Sequence, residues 1–526
     1  MPAASALDPL LSALSPDQLA AVTAPPGPTL CVAPAGSGKT TTLVARVAWR
    51  LAQGTPAEVM CALTFNRRAA GVLRERLVPV LEARGLPPDA VRVRTFHALG
   101  REILAAAGRP VEPLVDRPAL LRELSGGHLG PATVRRLDDQ LSRLKLEPRA
   151  GPPSPLLATY QAALARTGAL DADDLVAGAI ELLVTRPSLL ATWQRRCGVL
   201  LVDEVQDLDL AQWRLARLLT LSRRDLFAVG DDDQTIYAWR LADARRMIGL
   251  ARSLPGVRRV DLRTNYRNPP AVVERAVGLI GRNRERLAKT VVPRQGATGR
   301  LILAADPGDD VARARALLRR WAPDVADARM PGTHAVLART NAELAPFAAV
   351  AVELSLPYRA EDDGLHFDPA DGTSARAWRA RLATPHGLPP TGSLVEPLRA
   401  AAVRRDRLRR ADAALVLSTI HATKGLEFEV VACVGLDEGR FPSRRNLEEA
   451  PDARRALEEE RRLAYVAWTR PRRDLYLVYD PGAPSPFVRE AFSAAEQGRA
   501  AGCGLLVVEP AACVTGRGWR GRPSGR

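Results

Sequence analysis

Short apolar runs recur along the chain, each followed by a polar turn and then by apolar positions at helical spacing. The runs Thr29–Ala33, Val59–Thr64, Val199–Val202, Leu226–Val229, Ala335–Ala338, Leu415–Ser418 and Val430–Val434 read as strands. Runs this continuous belong to strands buried on both faces. Their alternation with amphipathic helices predicts an α/β fold with parallel sheets. Two such blocks are expected, meeting near residue 263. The first is split into 1–100 and 186–263 by residues 101–185, which are rich in Leu, Ala and Arg at helical spacing and read as a helical insertion. The second is split into 264–362 and 411–492 by residues 363–410, a Pro-, Gly- and Arg-rich stretch of weak periodicity read as a short insertion. Residues 493–526 are expected to be a disordered basic tail. The tail ends in GRGWRGRPSGR, with four arginines and no acid. Two readings of that end stay open, electrostatic DNA binding and simple solubilisation.

Composition narrows the class. At about 150 residues per domain, 526 residues imply roughly three to four domains or subdomains. With 46% hydrophobic and 25% charged residues, a mostly disordered chain is excluded. The net charge is +16, from 75 Lys+Arg against 59 Asp+Glu. An acidic partner such as nucleic acid would explain the surplus, and so would a GC-biased genome. Only Lys39, Lys145, Lys289 and Lys424 are lysines, so a lysine here carries more information than an arginine. The six cysteines form no C-x-x-C pair, which argues against a zinc or iron–sulfur site. Four of them fall in apolar runs that look like buried strands, a pattern that fits a reducing cytoplasm. The N-terminus lacks the basic and apolar regions of a signal peptide, and no apolar stretch approaches the roughly 18 residues of a membrane span. A cytoplasmic, bacterial-type, nucleoid-associated protein with no membrane partner is expected.

The most specific chemistry is Ala33-Pro-Ala-Gly36-Ser37-Gly38-Lys39-Thr40, between the run TLCVA and the helical run TTLVARVAWRL. Strand, glycine-rich loop and helix are the context a phosphate-binding loop requires. Gly36 and Gly38 let backbone N–H groups approach phosphate without a Cβ in the way, and the helix N-terminus adds partial positive charge. Lys39 would reach the β- and γ-phosphates, and Thr40 would ligate Mg²⁺. In Leu200-Leu-Val-Asp203-Glu204, two acids stand at the C-terminal edge of a strand, where open parallel sheets bind ligands. Asp203 would hold Mg²⁺, directly or through water. Glu204 would orient and deprotonate the attacking water. Together the two motifs predict ATP hydrolysis with ATP and Mg²⁺.

Further segments, in order, resemble the motifs of the UvrD/Rep/PcrA group of superfamily 1 DNA helicases. Leu14-Ser-Pro-Asp-Gln18 is similar to the adenine-reading glutamine motif. Leu63-Thr-Phe65-Asn-Arg-Arg-Ala-Ala70 and Thr95-Phe96-His97-Ala98 resemble motifs Ia and Ib. Asp203-Glu-Val-Gln206-Asp207 resembles motif II, and Val229-Gly-Asp-Asp-Asp-Gln234-Thr-Ile-Tyr237-Ala-Trp239-Arg240 motif III. Asn265-Tyr266-Arg267, Ser418-Thr-Ile-His421-Ala-Thr-Lys-Gly425-Leu-Glu427-Phe428 and the stretch from Glu458 to Arg470 resemble motifs IV, V and VI. The resemblance implies two RecA-like P-loop NTPase lobes with ATP between them and a helical insertion in the first. It implies that Gln18 and Tyr266 hold adenine, Glu427 contacts ribose and Gln234 senses the γ-phosphate. Arg267 and Arg470 would reach across from the second lobe as arginine fingers. DNA contacts would come from Phe65, Thr95, His97, Tyr237, Trp239 and His421, with stacking worth about 1–3 kcal/mol per base. For Tyr237 and Trp239 core packing is the competing reading; for His97 and His421 it is a satisfied buried histidine.

The implied function is an ATP-dependent single-stranded DNA translocase and 3′→5′ helicase acting in repair or replication. Its expected partners are single-stranded DNA and single/double-strand junctions. The sequence departs from the family where relatives carry a large second accessory subdomain and only residues 363–410 stand here. That favours, as an alternative, a motor that needs a partner such as a nuclease subunit for robust unwinding. The stretch after residue 480 is too short to be read as a nuclease domain. Ala238 and Leu241 also replace glycines that flank the motif III Trp-Arg pair, Thr41 replaces an arginine, and Pro471 replaces an alanine.

Overall fold

The computed structural model describes residues 8–147, 155–220, 225–360 and 407–510. The chain divides into two units, one of residues 1–265 with 285–291, the other of 266–284 with 292–526.

The first unit is built on β1 (Thr29–Val32), β2 (Met60–Thr64), β3 (Arg92–Thr95), β4 (Val199–Val202), β5 (Leu226–Gly230) and β6 (Arg258–Asp261), with the two-residue β7 (Thr264–Asn265) at its end. The sheet order is β3-β2-β4-β5-β1-β6 and every pair is parallel. Side chains alternate between sheet faces. Leu30, Val32, Leu200 and Val202 join one buried cluster, while Cys31, Ala33, Leu201 and Phe227 join the other. Both faces are covered, so the strands read as unbroken apolar runs.

Arg46, in the helix Lys39–Ala52, is 1% exposed. It donates to the carbonyls of Val22 (2.8 Å) and Ala24. Its guanidinium lies 5.2 and 5.4 Å from the ring centres of Trp49 and Phe227. It thereby ties the end of the short helix Pro16–Val22 to the first unit's core.

The expected insertion is helical, with helices Arg117–Leu124, Pro131–Leu146, Pro155–Thr167 and Ala172–Thr185. Its last helix, however, buries Val176, Ala179, Ile180 and Leu183 in the same cluster as β1 and β4. That helix is part of the lobe core. Its start is set by Asp171, which caps the N–H groups of Asp173 and Asp174. The acids here also hold Lys145, with Nζ 2.7 Å from Asp171 and 2.8 Å from Asp174, and Arg117, 2.9 Å from Asp171. Burial opposes the charge on Asp171, but Lys145 and Arg117 outweigh it and hold its carboxyl below the ordinary range.

The second unit contains β8 (Val292–Pro293), β9 (Arg300–Ala305), β10 (His334–Ala338), β11 (Tyr358–Ala360), β12 (Leu415–Thr419), β13 (Phe428–Cys433), β14 (Pro471–Tyr479) and β15 (Leu505–Val508). Its main sheet runs β11-β12-β10-β13-β14-β9-β15, parallel except for β15 against β9. Val336, Leu415, Leu417 and Val430 pack one face against Leu317, Trp321 and Phe347. The last three lie on the helices Asp310–Asp327 and Asn341–Glu353.

Three expectations change. The stretch from 493 begins with an ordered helix, Ala494–Cys503, and the strand β15, rather than a disordered tail. A capping box at Ser493 and Glu496 starts the helix, and the run LLVV pairs with β9. Residues 285–291 belong to the first unit, so the second block is not continuous from 264. Of the four cysteines expected in strands, the described residues place three there, Cys31, Cys61 and Cys433, while Cys197 closes the helix Pro187–Arg196. The reading of 363–410 lies outside the described residues for 363–406, as does the tail beyond 510. Among the described residues no single helix is long and apolar enough to cross a membrane.

Candidate nucleotide and nucleic-acid sites

In the first unit, three neighbouring strand ends carry the chemistry. Val32 of β1 pairs with Gly230 of β5, and Val202 of β4 pairs with Ala228 of β5. The loop after β1, the acids after β4 and the turn after β5 therefore share one edge of the sheet, its carboxyl end.

The loop after β1 has the backbone of an anion cradle. Gly36 and Gly38 have φ of +71° and +83°, a region that side chains with a Cβ rarely enter. A Cβ on Gly38 would lie 2.6 Å from Gln18 Nε2, and one on Gly36 2.7 Å from Asn265 Oδ1. Ser37 folds back onto the Pro34 carbonyl through Oγ (2.7 Å). Lys39 Nζ donates to the Ala33 carbonyl (3.2 Å), so the ammonium lies across the loop it follows. Thr40 stands in the first turn of the helix Lys39–Ala52. Gln18 is 5% exposed. Its Oε1 accepts from Ser15 N (3.1 Å) and its Nε2 donates to Ser37 O (3.0 Å). The glutamine thus braces the phosphate loop, a duty the sequence did not reveal.

Asp203 is 6% exposed, and its carboxyl is pushed up to about 7. Burial is the main cause and the neighbouring Glu204 adds to it, while Lys39 works the other way. A buried acid raised in this manner suits a divalent cation, whose charge would reverse the penalty. Glu204 has φ 50° and ψ 47°, a left-handed conformation for a residue with a side chain. Strain of this kind costs on the order of 1–3 kcal/mol and persists where the surroundings impose it. Glu204 Oε2 accepts from Gln206 Nε2 (2.6 Å), and Gln206 Oε1 accepts from Asp231 N (3.0 Å). Asp231 Oδ2 receives both Ala35 N (3.1 Å) and Gln234 Nε2 (2.8 Å). A hydrogen-bonded path therefore links the phosphate loop, the proposed base and the proposed γ-phosphate sensor.

Three residues after Gln234 the same loop presents aromatic rings. Phe65 and Tyr237 stack at 5.0 Å and 18°, and Trp239 meets Tyr237 edge-on at 6.2 Å. Trp239 is 50% exposed, with the Arg240 guanidinium 4.7 Å from its ring centre. Trp239 is not a core residue, and Tyr237 is half-buried. Leu241, noted as replacing glycine, has φ 66°. That conformation costs about 1–2 kcal/mol for a side-chain residue and is offset by its burial at 6% exposure. Thr95 is the N-cap of the helix Phe96–Ala106, its Oγ1 accepting from Ala98 N (3.2 Å). That duty accounts for a threonine without DNA. His97 is half-buried, and burial holds its imidazole below the usual range despite Asp173, so it is neutral at pH 7.

The second unit holds the remaining predicted residues. Tyr266 is 36% exposed. Arg267 forms an ion pair with Glu427 (2.7 Å) and donates to the Thr469 carbonyl (3.1 Å). Glu427 also pairs with Arg472. Burial works against its charge, yet Arg267 and Arg472 hold its carboxyl below the ordinary range. Arg470 is 2% exposed and donates from Nε to Val466 O (2.9 Å) and from Nη1 to Leu426 O (3.1 Å). His421 opens a short turn, His421–Thr423, after β12.

Two groups were not assigned from sequence, Lys289 and Arg286. Both lie in the stretch 285–291 and both contact the aspartates of the loop after β5. For Lys289 the signal was the rarity of lysine: Lys145 and Lys289, without a motif, each turn out to be a cation inside a buried aspartate cluster.

Residues 14–123 and 137–255 match the family model of the UvrD/REP helicase N-terminal domain, and residues 383–481 match that of the UvrD-like helicase C-terminal domain. The chain is 29% identical to the ATP-dependent DNA helicase UvrD2 of Mycobacterium tuberculosis, over 90% of this chain and 79% of that protein. It is 30% identical to the ATP-dependent DNA helicase Rep of Escherichia coli, over 66% of this chain and 55% of Rep. To the ATP-dependent DNA helicase PcrA of Leuconostoc citreum it is 31% identical, over 55% of this chain and 41% of PcrA. The chain thus spans most of the UvrD2 relative and about half the length of Rep.

Proposed function

Because the chain belongs to the UvrD/Rep helicase family, we propose that it is an ATP-driven motor on single-stranded DNA. It would act as a 3′→5′ translocase and helicase at single/double-strand junctions, in DNA repair or replication in the bacterial cytoplasm. One observation carries this reading. The loop after β5 holds Gln234, bonded into the phosphate-loop network, and from three residues later the half-buried Tyr237 and the exposed Trp239. A change at the γ-phosphate would be felt within one short loop by the rings that grip bases.

In this reading Gly36, Ser37, Gly38 and Lys39 bind the phosphates, and Thr40 and Asp203 would hold Mg²⁺, which supplies charge neutralisation on the phosphates. Glu204 accepts the proton of the attacking water and Gln234 senses the γ-phosphate. Gln18 offers an amide hydrogen to adenine, Tyr266 stacks on it and Glu427 meets the ribose. Arg267 and Arg470 stabilise charge as it builds on the transferred phosphoryl group. Phe65, Tyr237 and Trp239 stack on bases, with Thr95, His97 and His421 at the backbone, so binding is sequence-independent and weakens with salt.

The test pairs ATP hydrolysis, with and without single-stranded DNA, with strand displacement on 3′-tailed and 5′-tailed duplexes. DNA-stimulated hydrolysis and displacement of the 3′-tailed substrate alone are expected. Hydrolysis without displacement would favour the second reading, a motor that unwinds only with a partner. The short interval between β11 and β12 is the observation behind that reading. Lys39→Ala is expected to lower kcat by about 10²–10³. Unchanged hydrolysis in that variant would refute the assignment of the phosphate loop. Trp239→Ala is expected to weaken single-stranded DNA binding by about 1–3 kcal/mol, roughly 5- to 150-fold, in a fluorescence anisotropy titration with oligo-dT. Its DNA-free hydrolysis should be unaltered, since the ring lies on the surface.

A further inference from the structure

Lys289 is 1% exposed on its side chain, and three carboxylates surround its ammonium. Nζ lies 2.5 Å from Asp231 Oδ1, 2.5 Å from Asp232 Oδ1 and 3.0 Å from Asp233 Oδ2. An ammonium has three N–H donors on a compact head, so it can serve three acceptors at once, which a planar guanidinium fork cannot do at the same centre. Two residues earlier the Leu287 N–H binds Asp232 Oδ2 (2.7 Å), and Arg286 grips Asp233 through Nε (3.0 Å) and Nη2 (2.6 Å). Residues 285–291 thus form a strap across the turn that follows β5. Both ends of the strap continue into the second unit.

The strap binds the residue on which the active-site network converges. Asp231 accepts from Ala35 N in the phosphate loop and from Gln234 Nε2, and its own N–H donates to Gln206, which in turn holds Glu204. Asp231 is fully buried. Without a cation beside it, three consecutive buried aspartates would repel one another and rearrange or take up protons.

We propose that Lys289 is a positioning residue for ATP hydrolysis: by anchoring Asp231, Asp232 and Asp233 it fixes the Asp231 carboxylate that orients Gln234 and the phosphate loop. This rests on the reading of the chain as an ATPase. Lys289 is buried against its aspartates and acts through Asp231. Its effect should fall more on the chemical step than on ATP binding, because the phosphate loop keeps its braces from Gln18 and Ser37 while Gln234 loses a fixed Asp231 carboxylate.

The test uses the full chain with Lys289→Met, the charge-balanced pair Asp232→Asn with Lys289→Met, and Lys289→Arg. The last two keep the buried charge closer to its original sum, and so guard against simple loss of the fold. Expected is a fall in kcat of about tenfold or more in each folded variant, with KM for ATP within about threefold. Amide exchange supplies a readout that needs no hydrolysis. The N–H groups of Ala35 and of residues 231–234 should exchange faster in the nucleotide-free variants than in the parent. Wild-type kcat in the charge-balanced pair or in Lys289→Arg would overturn the proposal, reducing Lys289 to a neutralising charge. So would a rise in KM at constant kcat, or unchanged amide exchange. An inert parent chain would instead refute the ATPase reading, and the exchange comparison would still decide whether Lys289 holds the turn.

Discussion

Glu204→Gln is expected to lower kcat for DNA-stimulated ATP hydrolysis by about 10²–10⁴ while ATP binding survives. The residue that accepts the proton of the attacking water must be ionised, aimed and kept from drifting. In the proposed reading the aim comes by an unusual route. Glu204 occupies a left-handed backbone position and is held from the side by Gln206, whose other end is tied to Asp231. Glutamine keeps the shape but removes the basic oxygen. In the proposed reading nucleotide binding rests on the loop of Gly36, Gly38 and Lys39, which the change leaves alone. The substitution also removes the Glu204 charge that adds to burial in raising Asp203, so the Asp203 carboxyl should fall below about 7, though burial keeps it raised, and it should hold a cation no less well. Single-turnover hydrolysis and nucleotide titration separate the two effects. A loss of less than about threefold in kcat would show that another group takes the proton.

The parts of this fold that can be read in the sequence share a physical reason. Thr29–Ala33, Val199–Val202, Leu415–Ser418 and the other apolar runs all correspond to strands in the interior of their sheets, where both faces must be apolar. The edge strands β3, β6, β11 and β15 are not seen that way. In β3, Arg92 and Arg94 alternate with buried Val93 and Thr95, and β6 is largely exposed. β14 lies inside its sheet but opens with Arg472, Arg473 and Asp474, and Asp474 is satisfied by Arg300 of β9 (2.7 Å), a partner 174 positions away. The site divides in the same manner. Residue types at fixed short spacing, such as Gly36 to Thr40 and Gln234 to Trp239, are visible because the chemistry is local. The bracing of the phosphate loop by Gln18 and the seat of Lys289 on Asp231 are long-range, and no spacing encodes them. Leu241 lies between the two cases. A leucine where glycine is expected marks the position, and only the structure shows the left-handed backbone that explains the glycine.

Arg470→Lys is expected to cost about 10³–10⁵ in kcat, the range for removing an arginine that stabilises a transferring phosphoryl group. Arg470 and Arg267 are held differently, and the difference predicts their ranking. Arg267 is paired with the Glu427 carboxylate, so part of its charge is already spent within its own unit. Arg470 gives Nε and Nη1 to the main-chain carbonyls of Val466 and Leu426, which fix the plane of the guanidinium. Val466 lies on the helix Ala453–Trp468, and Leu426 immediately precedes Glu427, so two separate segments set one side chain. A charge already fixed in place costs little further reorganisation when negative charge builds on the phosphoryl oxygens. Lysine keeps the charge and loses both the fork and the two carbonyl bonds, which makes it a sharper test than alanine at a buried site. Arg267→Lys should lose less than Arg470→Lys, and ATP affinity should change by less than about tenfold in both. Single-turnover hydrolysis at saturating ATP measures the ranking. Equal losses, or a larger loss at Arg267, would mean that pairing with Glu427 does not weaken Arg267, and that the carbonyl-held geometry of Arg470 is not what the chemical step requires.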